Sequence, residues 1–188
     1  GEHAGQFMVD PHGPVPLLVN DDAQLSRLFG PTDSARAAFL DAFQAVVRTE
    51  EPSVHRLAKE HSAIMRRAMN TNTVLMDALA GVTNVPVRHS SDNPLATQLN
   101  TAARIMAAHK QLGANGGVKR QVFFVALGGF DLHDNFQRQH PALLNNLAEA
   151  LVQFDEDLRE AELLDQVTTF TASDFGRTLT SNGDGSDH

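Results

Sequence analysis

The chain has 188 residues, a length suited to a single domain on a prior of about 150 residues each. Fifteen Lys and Arg against 23 Asp and Glu leave a net charge of −8, which argues against a nucleic-acid scaffold, whose basic surface must neutralise phosphates. With no cysteine in the chain, disulfides, thiolate metal ligands and cysteine nucleophiles are excluded.

A membrane span is not expected, because no apolar run approaches the roughly 18 residues it needs. Nine histidines with no Tyr or Trp hint at metal or proton chemistry without locating it. Gly1 in place of a start Met implies a processed or trimmed N-terminus.

Residues 1–32 are rich in Pro and Gly and read as a loop or edge region with one short strand, Val15 to Val19. Residues 33–113 read as helical. Asp33 or Ser34 can cap a first helix with Phe39, Leu40, Phe43, Val46 and Val47 on one face. Pro52 fits the first turn of a second, Ser53 to about Met69, with Val54, Leu57, Ala58, Ile64 and Ala68 inward. A further helical stretch, Val74 to Ala80, ends at Gly81. Asp92-Asn93-Pro94 opens another, with Leu95, Leu99, Ala102 and Met106 on one face and Gly113 closing it.

Residues 113–120 form a glycine-rich joint, and from 121 to 188 the pattern becomes strand–helix–strand. Gln121 to Leu127 is a nearly continuous apolar run, as expected of a strand buried on both faces. Pro141 starts a long helix with Leu144, Leu147, Leu151, Phe154 and Leu158 inward. Val167 to Ala172 reads as a second strand, with room between the two for a parallel crossover. The fold class expected is therefore α/β, a helical first part followed by a piece of a mostly parallel sheet, the whole forming one incomplete domain.

The chemistry gathers after the two strands and at the last residues. Asp131 and His133 follow the first strand, Asp174 follows the second, and Asp187-His188 ends the chain. Carboxylate oxygens and imidazole nitrogens are what a hard or borderline divalent cation takes as ligands. In an open parallel sheet, loops beyond the carboxyl ends of the strands face one site. Gly128 and Gly129 permit a sharp turn there, and Arg177 offers a fork to a phosphate, sulfate or carboxylate. Asp131 or Asp134 as a helix cap, and Asp174-Phe-Gly-Arg177 as a plain turn, are the structural alternatives. Asp10-Pro-His12 is a weaker metal candidate, and His55, His61 and His109 read as ordinary helix residues.

Phe124-Val-Ala-Leu-Gly-Gly-Phe-Asp131-Leu-His133-Asp134, then Val167-Thr-Thr-Phe-Thr-Ala-Ser-Asp174-Phe-Gly-Arg-Thr178, then Ser181-Asn-Gly-Asp-Gly-Ser-Asp187-His188 closely resembles the DUF1501 family over residues 121–188. These are bacterial proteins of poorly defined function, grouped with the alkaline phosphatase and sulfatase superfamily. The resemblance implies divalent cations (Zn, Mg, Mn or Ca) held by Asp and His, with Asp131 and His133 as one ligand group and Asp187 and His188 as another. The Asp-x-His spacing is shorter than the superfamily's Asp-x-x-x-His. Asp174 matches an acidic family position, as a further ligand or as a partner of Arg177, and Arg177 is the substrate-binding candidate.

It also implies hydrolysis or transfer of a small anionic ester, a phosphate or sulfate, with a non-catalytic, metal-stabilised exported protein as the alternative. A nucleophile region before residue 1 and a further His after His188 are expected, so the chain as given is expected to be inactive. Family members often carry export signals, which implies a periplasmic or secreted protein. Exposed strand edges imply an oligomer or association with further segments.

Overall fold

The structure is a computed structural model that describes Ala42, Ala45, residues 56–88, 90, 92–112 and 119–188. The strand expected at 15–19 and the Asp10-Pro-His12 pair lie outside these residues, as does most of the helix expected from 33, of which Ala42 and Ala45 are described and helical.

Three α-helices organise the described part: α1 (Arg56–Ala80), α2 (Pro94–Ala107) and α3 (Phe136–Glu160), followed by a 3-10 turn at Leu164–Gln166. α1 joins the two stretches expected at 53–69 and 74–80 into one helix. The polar run Asn70-Thr71-Asn72-Thr73 does not break it. The Thr73 hydroxyl donates to the Met69 carbonyl at 3.1 Å, a back-bond that serves a β-branched polar residue within a helix. The inward stripe expected of this helix is not buried: Leu57 and Ile64 are 73% and 50% exposed, and burial begins only at Leu75, Ala78 and Leu79.

α2 starts as its sequence dictates. The Asn93 side chain accepts from the Ala96 N–H at 3.3 Å, Pro94 takes the first turn, and its missing N–H is one that no helix start could satisfy internally. Leu95, Leu99 and Ala102 are buried. The helix ends at Ala107, before Gly113, which lies outside the described residues.

α3 begins at Phe136 rather than at Pro141. Pro141 therefore sits inside the helix, where it removes the bond to the Gln137 carbonyl. Asn135 caps it in the left-handed region, φ 50°, with no side-chain capping bond, so neither Asp131 nor Asp134 is the cap.

The core is the seam between α2 and α3. Val85, Leu95, Ala96, Leu99 and Ala103 meet Ala150, Phe154, Leu158 and Leu163. Burying such groups contributes about 1.5–3 kcal/mol for each of the larger ones. A second cluster joins Leu75, Ala78 and Leu79 of α1 to Ile105, Ala108 and Leu112. One polar knot crosses the main seam: fully buried Asp157 accepts from Arg88 Nε at 3.0 Å and from Asn100 Nδ2 at 2.8 Å.

The expected α/β sheet is overturned. Among the described residues there is no β-strand, and the single bridge is Ser181 to Ser186. Residues 121–127 run without regular structure, and no backbone hydrogen bond joins them to 167–172. Part of the reason lies in Gln98. Its side-chain amide takes the place of a neighbouring strand, donating to the Ala126 carbonyl at 3.1 Å and accepting from the Ala126 N–H at 3.0 Å. The run is also buried on one face only. Val125 and Leu127 pack against the α2–α3 core and Phe123 against the second cluster, while Val122 is 98% and Phe124 73% exposed.

Candidate metal centre

The segment leading into α3 presents the first two candidate ligands. Gly129 adopts φ +95° with an added Cβ falling 3.3 Å from Leu143, a conformation that favours glycine. Beyond it Leu132 is buried, while Asp131 and His133 on either side are exposed. Alternation along an extended segment puts residues i and i+2 on one side, so anchoring Leu132 in the protein turns Asp131 and His133 outward together.

The last residues fold back onto this segment through a tight turn. Asn182 N–H donates to the Gly185 carbonyl at 3.1 Å, and Gly185 N–H to Asn182 Oδ1 at 2.8 Å. Gly183 sits at φ +120°, where other residues are strained. Two bonds tie the turn to the α3 entry: Asp184 O accepts the Phe136 N–H at 3.0 Å, and Asn182 Nδ2 donates to His133 O at 3.0 Å. Gly185 is the point of closest approach, since a Cβ there would fall 2.4 Å from the His133 backbone.

This fold-back delivers His188 to Asp131 and His133. Asp131 Oδ1 lies 3.0 Å from His133 Nε2 and 3.1 Å from His188 Nε2, and the two Nε2 atoms are 3.2 Å apart. The three ligand atoms thus form a nearly equilateral triangle in a group that could hold a metal ion. Four ligands at zinc bond lengths of about 2.0–2.1 Å stand about 3.3–3.4 Å from one another, and six at that length about 2.9 Å. The observed edges fall between these values, so one cation above the triangle can reach all three atoms with small side-chain shifts. The donor set, two imidazoles and a carboxylate, suits a borderline ion such as zinc better than Mg or Ca, which prefer oxygen alone.

The other sequence candidates are placed differently. Asp187 lies behind His133, with Oδ1 3.0 Å from Nδ1, outside the triangle. Hydrogen bonds from His133 and then from Asn182 hold its carboxyl below the usual carboxylate range. Asp174 is exposed and is not brought into the group. Arg177 reaches the site's edge, 3.6 Å from Asp131 Oδ1, while its guanidinium donates to the carbonyls of Phe130 and Ser186. Phe175 and Phe136 flank that guanidinium at 5.3 and 5.8 Å, and Phe175 also touches the His188 ring, 4.6 Å between centroids. Arg177 is thereby a brace between the two segments that carry the ligands.

Sequence reasoning missed Asn182 and Gly185, which hold the fold-back together. Their signal was present in Asn182-Gly183 and Asp184-Gly185, dipeptides that mark tight turns.

The family described as Protein of unknown function (DUF1501) matches residues 18–188. The chain belongs to the DUF1501 family. No curated protein and no solved structure matches it. In this DUF1501 chain the match takes in all three helices as well as the Asp/His segments, so the helical part belongs to the family as much as the ligand-bearing part does. No helix among the described residues is long and apolar enough to cross a membrane.

Proposed function

We propose that this DUF1501 protein is a divalent-cation-dependent hydrolase or transferase of phosphate or sulfate esters, with the cation held by Asp131, His133 and His188. The observation that carries the reading is the triangle of ligand atoms, 3.0, 3.1 and 3.2 Å on its edges, assembled from the segment before α3 and from His188. The order of the Asp/His motifs, similar to that of the alkaline phosphatase and sulfatase superfamily, supports the ester chemistry. This support comes from the ligand motifs and not from any sheet. When bound, a divalent cation supplies Lewis acidity toward an ester oxygen.

The chain's own residues define how an anionic ester would be met. Asp131, His133 and His188 are 59%, 50% and 40% exposed, so the open side of the triangle faces solvent and a substrate can approach it. Arg177 supplies positive charge at the rim. Because its guanidinium serves the Phe130 and Ser186 carbonyls, it acts on the ester through its field and by keeping the ligand segments in place, rather than as a free bidentate fork. Protons compete with the cation for both imidazole nitrogens, so metal affinity falls as pH falls. A periplasmic or secreted location belongs to the same proposal and rests on the family resemblance.

The intact protein loaded with zinc or manganese is expected to cleave an aryl phosphate or aryl sulfate, and chelation is expected to abolish turnover. A second reading, a non-catalytic protein in which the cation is a clip, is favoured by one observation: the ligands sit on segments 55 residues apart that are tied mostly by hydrogen bonds. Bound metal without turnover across a broad ester panel decides for the clip. Turnover that survives complete metal removal contradicts both.

A further inference from the structure

The Asp187 contact with His133 raises a question of roles, because a carboxylate next to a candidate centre can be a ligand or can act behind one. Ionised Asp187 only accepts hydrogen bonds. Its Oδ1 lies 3.0 Å from His133 Nδ1, and Asp131 Oδ1 lies equally near Nε2, so carboxylates face both ring nitrogens. When a cation held by Asp131 takes the Nε2 lone pair, the ring hydrogen sits on Nδ1, facing Asp187. The neutral imidazole then has its lone pair on Nε2, the atom that stands 3.0 Å from Asp131 Oδ1 and 3.2 Å from His188 Nε2. Asp187 is itself fixed from the other side: Asn182 Nδ2 donates to the same Oδ1 at 3.1 Å and also to His133 O at 3.0 Å. Its backbone carbonyl is held as well, accepting the Thr178 N–H at 2.8 Å. Carboxylate, ring and turn are therefore locked in one arrangement.

We propose that Asp187 is a positioning residue rather than a metal ligand: it fixes the ring orientation and tautomer of His133 so that Nε2 faces the cation. This rests on the metal reading given above. It divides the adjacent Asp187-His188 pair between two tasks, with His188 binding directly and Asp187 acting through His133. Outer partners of this kind orient metal-bound histidines and raise their basicity.

The test compares wild type, D187A, D187N and D131A by titrating the full chain with Co2+ alone and recording both affinity and the visible absorption of the bound ion. D187A is expected to lose about 10–100-fold in affinity, the range for an outer partner, with the Co2+ bands unchanged at saturation. D187N is expected to recover most of that loss, because an amide oxygen still accepts from Nδ1–H. In the loaded wild type, nitrogen-15 NMR is expected to find the hydrogen of His133 on Nδ1.

Asp187 is a ligand after all, and the proposal is overturned, if D187N fails as completely as D187A and both change the Co2+ bands as D131A does. Affinity in D187A equal to wild type overturns it too. Wild type that binds no Co2+ removes the metal reading itself, a result separable from the others because it is seen before any variant is made.

Discussion

Asp157→Ala is expected to lower the unfolding free energy by about 2–4 kcal/mol, more than truncating any surface ion pair. The carboxylate is wholly buried and collects Arg88 Nε at 3.0 Å and Asn100 Nδ2 at 2.8 Å. Asn100 in turn accepts the Arg88 N–H at 2.9 Å and donates to the Pro86 carbonyl at 3.0 Å. Removing Asp157 thus leaves a guanidinium and an amide short of a partner beside the α2–α3 seam. The figure stays below that of a fully buried pair because the Arg88 side chain is 32% exposed and water can take over part of its solvation. Asp157→Asn keeps the shape and one acceptor, and should fall between alanine and wild type. Urea unfolding followed by circular dichroism checks the order. An alanine variant as stable as wild type would mean the knot is not what joins the 86–88 segment to α3.

The second large effect concerns the centre. Asp131→Ala should weaken zinc binding by more than about 100-fold, beyond what loss of an outer partner costs, since it removes the corner shared by both short edges of the triangle. Gly185→Ala should weaken it by at least about tenfold without touching a ligand, because it breaks the geometry that outer contacts maintain. An alanine Cβ would stand 2.4 Å from the His133 backbone, so the 181–186 turn must move away, taking His188 with it. Overpacking of this kind also costs about 1–3 kcal/mol where the surroundings hold firm. The helical core lies elsewhere, so far-ultraviolet dichroism should be unchanged in both variants. Competition titration against a chromophoric chelator reads both affinities. Wild-type zinc affinity in Gly185→Ala would show that the fold-back does not deliver His188.

How much of this was legible in the sequence depends on the range over which each feature is decided. The Asn93-Pro94 start of α2 and the Gly81 stop after α1 are local, and both stand where the residues put them. The Asp131–His133 side of the site was legible for the same reason, since i, i+2 spacing in an extended segment is a local matter.

The sheet was not. A run such as 121–127 has the composition of a buried strand, but a strand exists only if another backbone pairs with it, and a single glutamine, Gln98, satisfies the Ala126 groups instead. Helix boundaries erred through the same dependence. Pro141 favours a helix start, yet α3 begins five residues earlier at Phe136 because the Asp184 carbonyl satisfies the Phe136 N–H. Asp157 went unremarked although it lies between Phe154 and Leu158 on the inward face, where an acidic residue signals a buried partner. The separate roles of Asp187 and His188 are likewise set by the turn at 182–185, and adjacency in sequence does not reveal them.

Zinc-edge X-ray absorption of the zinc-loaded full chain tests the central claim most directly. The account predicts one zinc per chain with two imidazole shells and oxygen at about 2.0–2.1 Å, and loss of one imidazole contribution in His188→Ala. A zinc ion with oxygen neighbours alone, or a spectrum indifferent to both His133→Ala and His188→Ala, would contradict it.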